Sequence, residues 1–162
     1  MVNNLINMLI GQEVYIEGYG FIGTTKEIEP PKVKFKQTEV NGRKIDTSLL
    51  EPMEAKIEIG EYNGTIWEAL SKRDLELATF VIKKSTRDRK RKIPVYLELG
   101  AWVEEQEFGG KIGESDSITL NLNVQTYRLE VEGKEKYNID IPNYICKING
   151  IDKYEVLRNH IM

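Results

Sequence analysis

The sequence predicts a mainly β fold with two short α-helices. Three observations carry that expectation. Apolar and polar residues alternate along most of the chain, Gly-, Pro- and Asn-containing turn signals separate the alternating runs, and only two short runs place apolar residues at helical spacing. Alternation sends successive side chains to opposite faces of a strand, so each run has one face to bury and one to solvate.

Residues 12–29 read as two short strands joined through Gly18, Tyr19 and Gly20, and Pro30-Pro31 then stop regular pairing. Residues 32–52 read as a projecting hairpin: Lys32, Lys34 and Lys36 alternate with Val33 and Phe35, and Asn41-Gly42 supplies the tight turn. Such an arm is poor in apolar residues for a core of its own. It is expected to pack on a neighbouring copy through Val33, Phe35, Ile45, Leu49 and Leu50.

Met53, Ala55, Ile57 and Ile59 share one strand face, with Glu54, Lys56 and Glu58 on the other. After Gly60, Asn63 is placed to cap a helix over residues 65–72, whose Ile66, Ala69 and Leu70 fall at helical spacing. Residues 75–84 and 93–104 form a strand pair across a charged turn. Val95, Leu97, Leu99, Ala101 and Val103 make one face, and Tyr96, Glu98, Trp102 and Glu104 the other.

The clearest alternation follows Gly109, Gly110 and Gly113, with Ile118, Leu120, Leu122 and Val124 set against Thr119, Asn121, Asn123 and Gln125. Beyond Thr126 the apolar phase moves to Tyr127, Leu129 and Val131, which predicts a β-bulge over 125–127. Glu132-Gly133 turns into Tyr137, Ile139 and Ile141, and Pro142-Asn143 turns into 145–148. Asn149-Gly150 then leads to a helix over 152–160 with Tyr154, Val156, Leu157 and Ile161 as apolar contacts.

The 162 residues suffice for a single domain over 1–162, and 40% apolar with 30% charged residues is an ordinary globular balance. A formal net charge of -3 supplies no general attraction to nucleic acid or to an anionic membrane. The apolar patch Leu5, Ile6, Met8, Leu9 and Ile10 has no basic flank, and no run approaches the roughly 18 apolar residues of a membrane span. The chain therefore reads as cytoplasmic when made, with no membrane partner.

Catalytic and metal chemistry find little material. Cys146 is the only cysteine and reads as a small apolar strand residue, because no histidine is placed to activate it. His160 is the only histidine, so neither a zinc set nor a Ser-His-Asp arrangement is expected, and no cofactor. Gly109-Gly110-Lys111-Ile112-Gly113 lacks the Ser or Thr that a phosphate loop needs after its lysine. Glu104, Glu105 and Glu107 read as a solvated rim at a strand end. A hydrolase using Glu98, Glu104 or Glu107 would need a cleft lined by aromatics. The basic run of Lys83, Lys84, Arg87, Arg89, Lys90, Arg91 and Lys92 reads as a hairpin tip for solvent or for a protein contact. It has no interleaved aromatics on which bases could stack.

Five stretches in order, YGFIGTTKEIEPP from Tyr19, IDTSLLEPMEAKIEIGEY from Ile45, VYLELGAWVEEQE from Val95, YRLEVEGKEKYNIDI from Tyr127 and INGIDKYEVLR from Ile148, resemble the major tail tube proteins of contractile-tailed phages and phage-tail-like bacteriocins. The basic 83–92 turn and Pro30-Pro31 depart from that pattern. The resemblance implies a β-sandwich or split barrel with a flanking helix, and a structural subunit instead of an enzyme. It implies six-membered rings stacked into a hollow tube, with a sheath outside, tape-measure protein or DNA inside, and baseplate and tail terminator proteins as further partners. Assembly would occur in the bacterial host cytoplasm and end in the virion tail. A type VI secretion tube subunit shares this architecture, and a small β-barrel module holding a ligand in its mouth is the other alternative.

Within such a tube, DNA must slide without sticking, and each cation that neutralises a phosphate adds affinity. Thr119, Asn121, Asn123 and Gln125, with Glu54 and Glu58, are therefore the expected lumen residues, although Lys56 weakens the second set. Residues 93–103 would span about 36 Å if extended. The basic turn before them and Glu104, Glu105 and Glu107 after them are expected to meet across stacked rings.

Overall fold

In the computed structural model, which describes residues 7–62, 64–71 and 78–162, the alternating runs become twelve strands and two helices. β1 (Met8–Ile16) turns back through β2 (Gly20–Phe21), and β3 (Thr25–Glu29) ends at the proline pair. β4 (Phe35–Val40) and β5 (Arg43–Leu50) form the arm, followed by β6 (Met53–Ile59) and α1 (Gly64–Ser71). β7 (Ala78–Arg87), β8 (Lys92–Gly109), β9 (Ser117–Val131) and β10 (Lys134–Asp140) are consecutive antiparallel neighbours. The chain closes with β11 (Ile145–Ile148), β12 (Ile151–Asp152) and α2 (Glu155–Ile161).

The long β8–β9 hairpin is the spine. β9 pairs with β6 along residues 118–124 and with β10 along 126–131, so one strand serves two neighbours on the same edge. β7, β1 and β2 extend the sheet beyond the first half of β8, and β3 extends it beyond β6. The apolar faces of both halves meet in one cluster that includes Ile57 and Ile59 of β6, Leu120 and Leu122 of β9, Phe80 and Ile82 of β7, and Leu97 and Leu99 of β8. This is a β-sandwich. The described strands do not close into a barrel, so the closed mouth that a barrel-type ligand module would need is not formed among them.

The change of apolar phase in β9 has the predicted cause. Leu99 pairs with Tyr127 and Gly100 with Thr126, but Ala101 pairs with Val124, leaving Gln125 as the extra residue. Val124 and Tyr127 are therefore both buried although three positions apart. A second bulge, which the sequence reading lacked, places Glu104 opposite no partner between the pairs Val103–Leu122 and Glu105–Asn121.

Several boundaries differ from expectation. Residues 12–29 contain three strands, because β3 leaves the first hairpin to pair with β6, where Ile28 meets Ile57 in the core. Most of the supposed 83–92 turn is strand, since Lys83, Lys84 and Arg87 belong to β7 and Lys92 begins β8. Only residues 88–91 turn. β8 does not stop at Glu104 but continues to Gly109, because β9 offers it a partner up to Ser117. The helix expected over 152–160 starts at Glu155, after Asn149-Gly150, both at positive φ, has turned the chain into β12. Of its four expected contacts, Tyr154 is buried and Leu157 partly so, while Val156 and Ile161 are exposed. The helix expected over 65–72 forms over Gly64–Ser71 with Ile66 buried; its proposed cap Asn63, and Lys72 and Leu75, lie outside the described residues.

Candidate functional site

The residues expected to line a lumen lie together. Pairing of β6 with β9 puts Glu54 opposite Asn123, Lys56 opposite Asn121 and Glu58 opposite Thr119, all on the face away from the core. β3 extends that face with Glu27 and Glu29, and β8 with Glu105 and Glu107, the register partners of Asn121 and Thr119. A centre of half-buried amides and hydroxyls is thus bordered by carboxylates on both sides. The side chains hold one another: Gln125 Nε2 donates to Asn123 Oδ1 at 2.8 Å, Asn121 Nδ2 donates to Glu105 Oε2 at 3.2 Å, and Ser117 Oγ donates to Glu58 Oε1 at 3.0 Å. Lys26 Nζ lies 3.4 Å from Glu58.

This placement corrects the reading of Glu104, Glu105 and Glu107 as one rim at a strand end. Glu104 sits in the bulge, and the register shift it causes turns Glu105 and Glu107 onto the polar face. Glu27 and Glu29 are on the face for a reason no local pattern contains, namely the pairing of β3 with β6.

The arm is a two-stranded sheet of its own, closed by Asn41 and Gly42 at φ 51° and 75°, the left-handed pair of a type I′ turn. Its base is anchored. Phe35 pairs with Leu50, and the Leu50 amide donates to the Tyr154 hydroxyl at 2.6 Å. Val33, Phe35 and Leu50 also pack partly buried against the subunit's own core, so three of the five residues expected to reach a neighbour are engaged at home. Beyond the base, Val40, Ile45 and Leu49 are 45%, 49% and 44% exposed. A cleft of about 630 Å³ separates the arm base from the polar face, lined by Glu29, Lys34, Glu51, Glu54, Glu104 and Glu105 among others and by no aromatic side chain. Glu104 thus lacks the aromatic-lined cleft of the hydrolase alternative, whereas Glu98 lines a separate cleft of about 520 Å³ with Tyr15 and Tyr96.

The basic hairpin is partly neutralised from within. Asp88 Oδ1 accepts from the amides of Lys90 and Arg91 at 2.8 and 2.9 Å, and these donors hold its carboxyl below the usual carboxylate range. Arg91 meets Glu132 at 2.6 Å. Lys83 lies over the Tyr15 ring, 5.1 Å from its centroid, and burial lowers the Lys84 ammonium. Arg87, Arg89 and Lys90 remain the exposed cations of the tip together with Lys92.

One group escaped the sequence reading. Phe108 stacks on Tyr62 with centroids 5.2 Å apart and leans on Trp67 at 6.2 Å. The Tyr62 hydroxyl hydrogen-bonds to Asp116, which pushes its phenol up to about 12. Tyr62 and Trp67 are close in sequence, but Phe108 and Asp116 are remote from them, and only the pairing of β6, β8 and β9 brings the two pairs together. Among the described residues no group of His, Cys, Asp or Glu is arranged to hold a metal, and no helix is long and apolar enough to cross a membrane. Cys146 is fully buried, and burial pushes its thiol up, away from nucleophilic use.

The described residues thus form a sandwich with a continuous polar face and a projecting arm. The family model described as phage tail tube protein FII matches residues 6–161. The chain belongs to this tail tube family. It is 24% identical over 159 residues to the tail tube protein of Escherichia phage P2, covering 91% of this chain and 92% of that protein. Among solved structures, a chain of the six-fold symmetrised anti-feeding prophage baseplate is similar, with a TM-score of 0.47 and 16% identity over 80% of this chain and 97% of that one. The tail tube chain is thus a structural component of a virion tail that assembles with other tail components.

Proposed function

We propose that six copies of this tail tube chain form a ring, and that rings stack into the inner conduit of a contractile tail or tail-like particle. The observation that carries the reading is the carboxylate-bordered amide face across β3, β6, β9 and β8. A wall of Thr119, Asn121, Asn123 and Gln125 edged by Glu54, Glu58, Glu105 and Glu107 offers DNA few cations to neutralise its phosphates, so a duplex or a tape-measure protein passes without specific binding. The buried face behind it needs no catalytic group, and the chain acts as a building block and not as an enzyme.

The sheath protein surrounds the conduit, and baseplate and tail terminator proteins close its ends. Assembly takes place in the host cytoplasm. Arg89 and Lys90 at the β7–β8 tip meet carboxylates of the next ring, a heterologous contact that repeats without closing. Electron microscopy of the purified protein tests the reading: rings with six-fold symmetry, or tubes built from them, are expected. Monomers at every concentration and salt condition would overturn it. Where tubes form, Asn121→Lys with Asn123→Lys should leave their dimensions unchanged but make them retain DNA at low salt, read by co-sedimentation.

A further inference from the structure

Two unpartnered surfaces of this chain match each other in chemistry, and they lie at opposite ends of the same strand. The first is the arm beyond its base. Residues 32–50 carry five cations, Lys32, Lys34, Lys36, Arg43 and Lys44, against only Glu39 and Asp46. Val40, Ile45 and Leu49 stand exposed among them. A two-stranded ribbon of this size is marginal in water without a surface to lie on, yet among the described strands its outer part forms no sheet with any other.

The second is the aromatic cluster where α1 meets the β8–β9 loop. Tyr62, Trp67 and Phe108 are 50%, 45% and 61% exposed although Phe108 stacks on Tyr62 and leans on Trp67, and Ile112 in the loop after Phe108 is fully exposed. Stacked aromatics ringed by polar groups are the usual anchors of a protein interface. The rim is acidic: Glu114 and Asp116 of the β8–β9 loop, the latter bonded to the Tyr62 hydroxyl, stand against the single cation Lys111.

We infer that the arm of one copy docks on the Tyr62–Trp67–Phe108 cluster of a second copy, with Ile45 and Leu49 against the rings and Arg43 and Lys44 toward the acidic rim. The contact is between copies, not within one, because of where β6 puts its two ends. The arm returns to the body at Met53, the cluster begins just past Ile59, and the intervening strand holds them about 20 Å apart. Two different patches on one chain make a heterologous contact, the kind that builds rings or filaments. Complementary charge sets the register of the ribbon, and the aromatic anchors supply the burial. The inference rests on the tube-subunit reading and names the surface that receives the arm.

The test traps the contact directly. Ile45→Cys and Trp67→Cys are made as separate full-length proteins, both at exposed positions, and the only native thiol is buried at Cys146. Mixed and mildly oxidised, they should give a covalent dimer joined through positions 45 and 67, well above what either yields alone. A parallel pair, Ile45→Asp and Trp67→Ser with Phe108→Ser, should each raise the concentration needed for assembly about tenfold or more, the loss of one anchor. Their mixture should form dimers, since each supplies the surface the other lacks. If the wild type makes tubes while the variants assemble as it does or the 45–67 cross-link is absent, the docking falls and the tube reading stands. If the wild type stays monomeric and the two cysteine variants give no 45–67 cross-link, both are overturned.

Discussion

Gly100 lies in β8 opposite Thr126, whose hydroxyl accepts its amide at 3.0 Å. A Cβ there would stand 2.1 Å from that oxygen, so the strand pair closes only because the side chain is absent. Gly100→Ala is expected to cost about 1–3 kcal/mol, an overpacking penalty in a site with no room to relax. Adding Thr126→Ala should recover part of it, and urea melts of the two variants check both claims. Asp152 shows the electrostatic counterpart. Its side chain is only 9% exposed, and burial opposes its ionisation, but Arg158 at 2.7 Å and the Tyr154 amide at 3.0 Å outweigh that and hold its carboxyl low. A folded-state value below the unfolded one, about 3.9, means the contribution is present above that pH and lost as pH falls through the folded value. Asp152→Asn should therefore destabilise the wild-type fold at neutral pH and make little difference in strong acid, read as thermal midpoints across pH 2–7.

At the scale of the element, Gln125 shows how one residue sets which face a strand buries. Without the bulge, a side-chain period of two would turn Tyr127, Leu129 and Val131 outward, whereas deleting the extra residue would make the register continuous and leave them on the same face as Val124. Deletion of Gln125 is therefore expected to keep a cooperative fold, whereas inserting one alanine after Thr126, which would turn Tyr127, Leu129 and Val131 outward, is expected to abolish it. Circular dichroism with thermal melts separates the two outcomes. This bulge was legible in the sequence because the apolar phase changes visibly at Thr126. The Glu104 bulge was not, since the residues around it are polar on both sides and no phase change marks it. The arm divides likewise. Its Asn41-Gly42 turn is local chemistry, but the anchoring of Leu50 by Tyr154, 104 residues away, is not. Deleting residues 36–44 should leave a folded monomer, because Val33, Phe35 and Leu50 remain on the core. Light scattering should show it failing to form rings of wild-type size.

For the whole molecule, the β7–β8 tip and the β8–β9 loop lie at the two ends of a strand that reaches at most about 56 Å. Stacking through the tip would place cations of one ring against carboxylates of the next. Exposed pairs contribute only about 0.2–1 kcal/mol each, so six copies per junction set polarity more than strength. Arg87→Glu with Arg89→Glu should accordingly shorten tubes without dissolving rings, most clearly at low salt, in length distributions from electron micrographs. Arg91 is left out of the pair because Glu132 already holds it within the subunit.

The sequence by itself determined the β class, the hairpin turns, the buried face of each run and the polar character of Thr119, Asn121, Asn123 and Gln125. All of these depend on alternation and turn chemistry within a few residues. Only the tertiary structure decided that β9 divides its edge between β6 and β10, that Glu105 and Glu107 join the polar face, and that Tyr62, Trp67 and Phe108 form one cluster. The physical reason is that a strand's faces are set by its own period of two, whereas its neighbours are set by long-range pairing. Any of several runs of equal alternation could satisfy the β9 edge locally, and burial of one shared core selects among them.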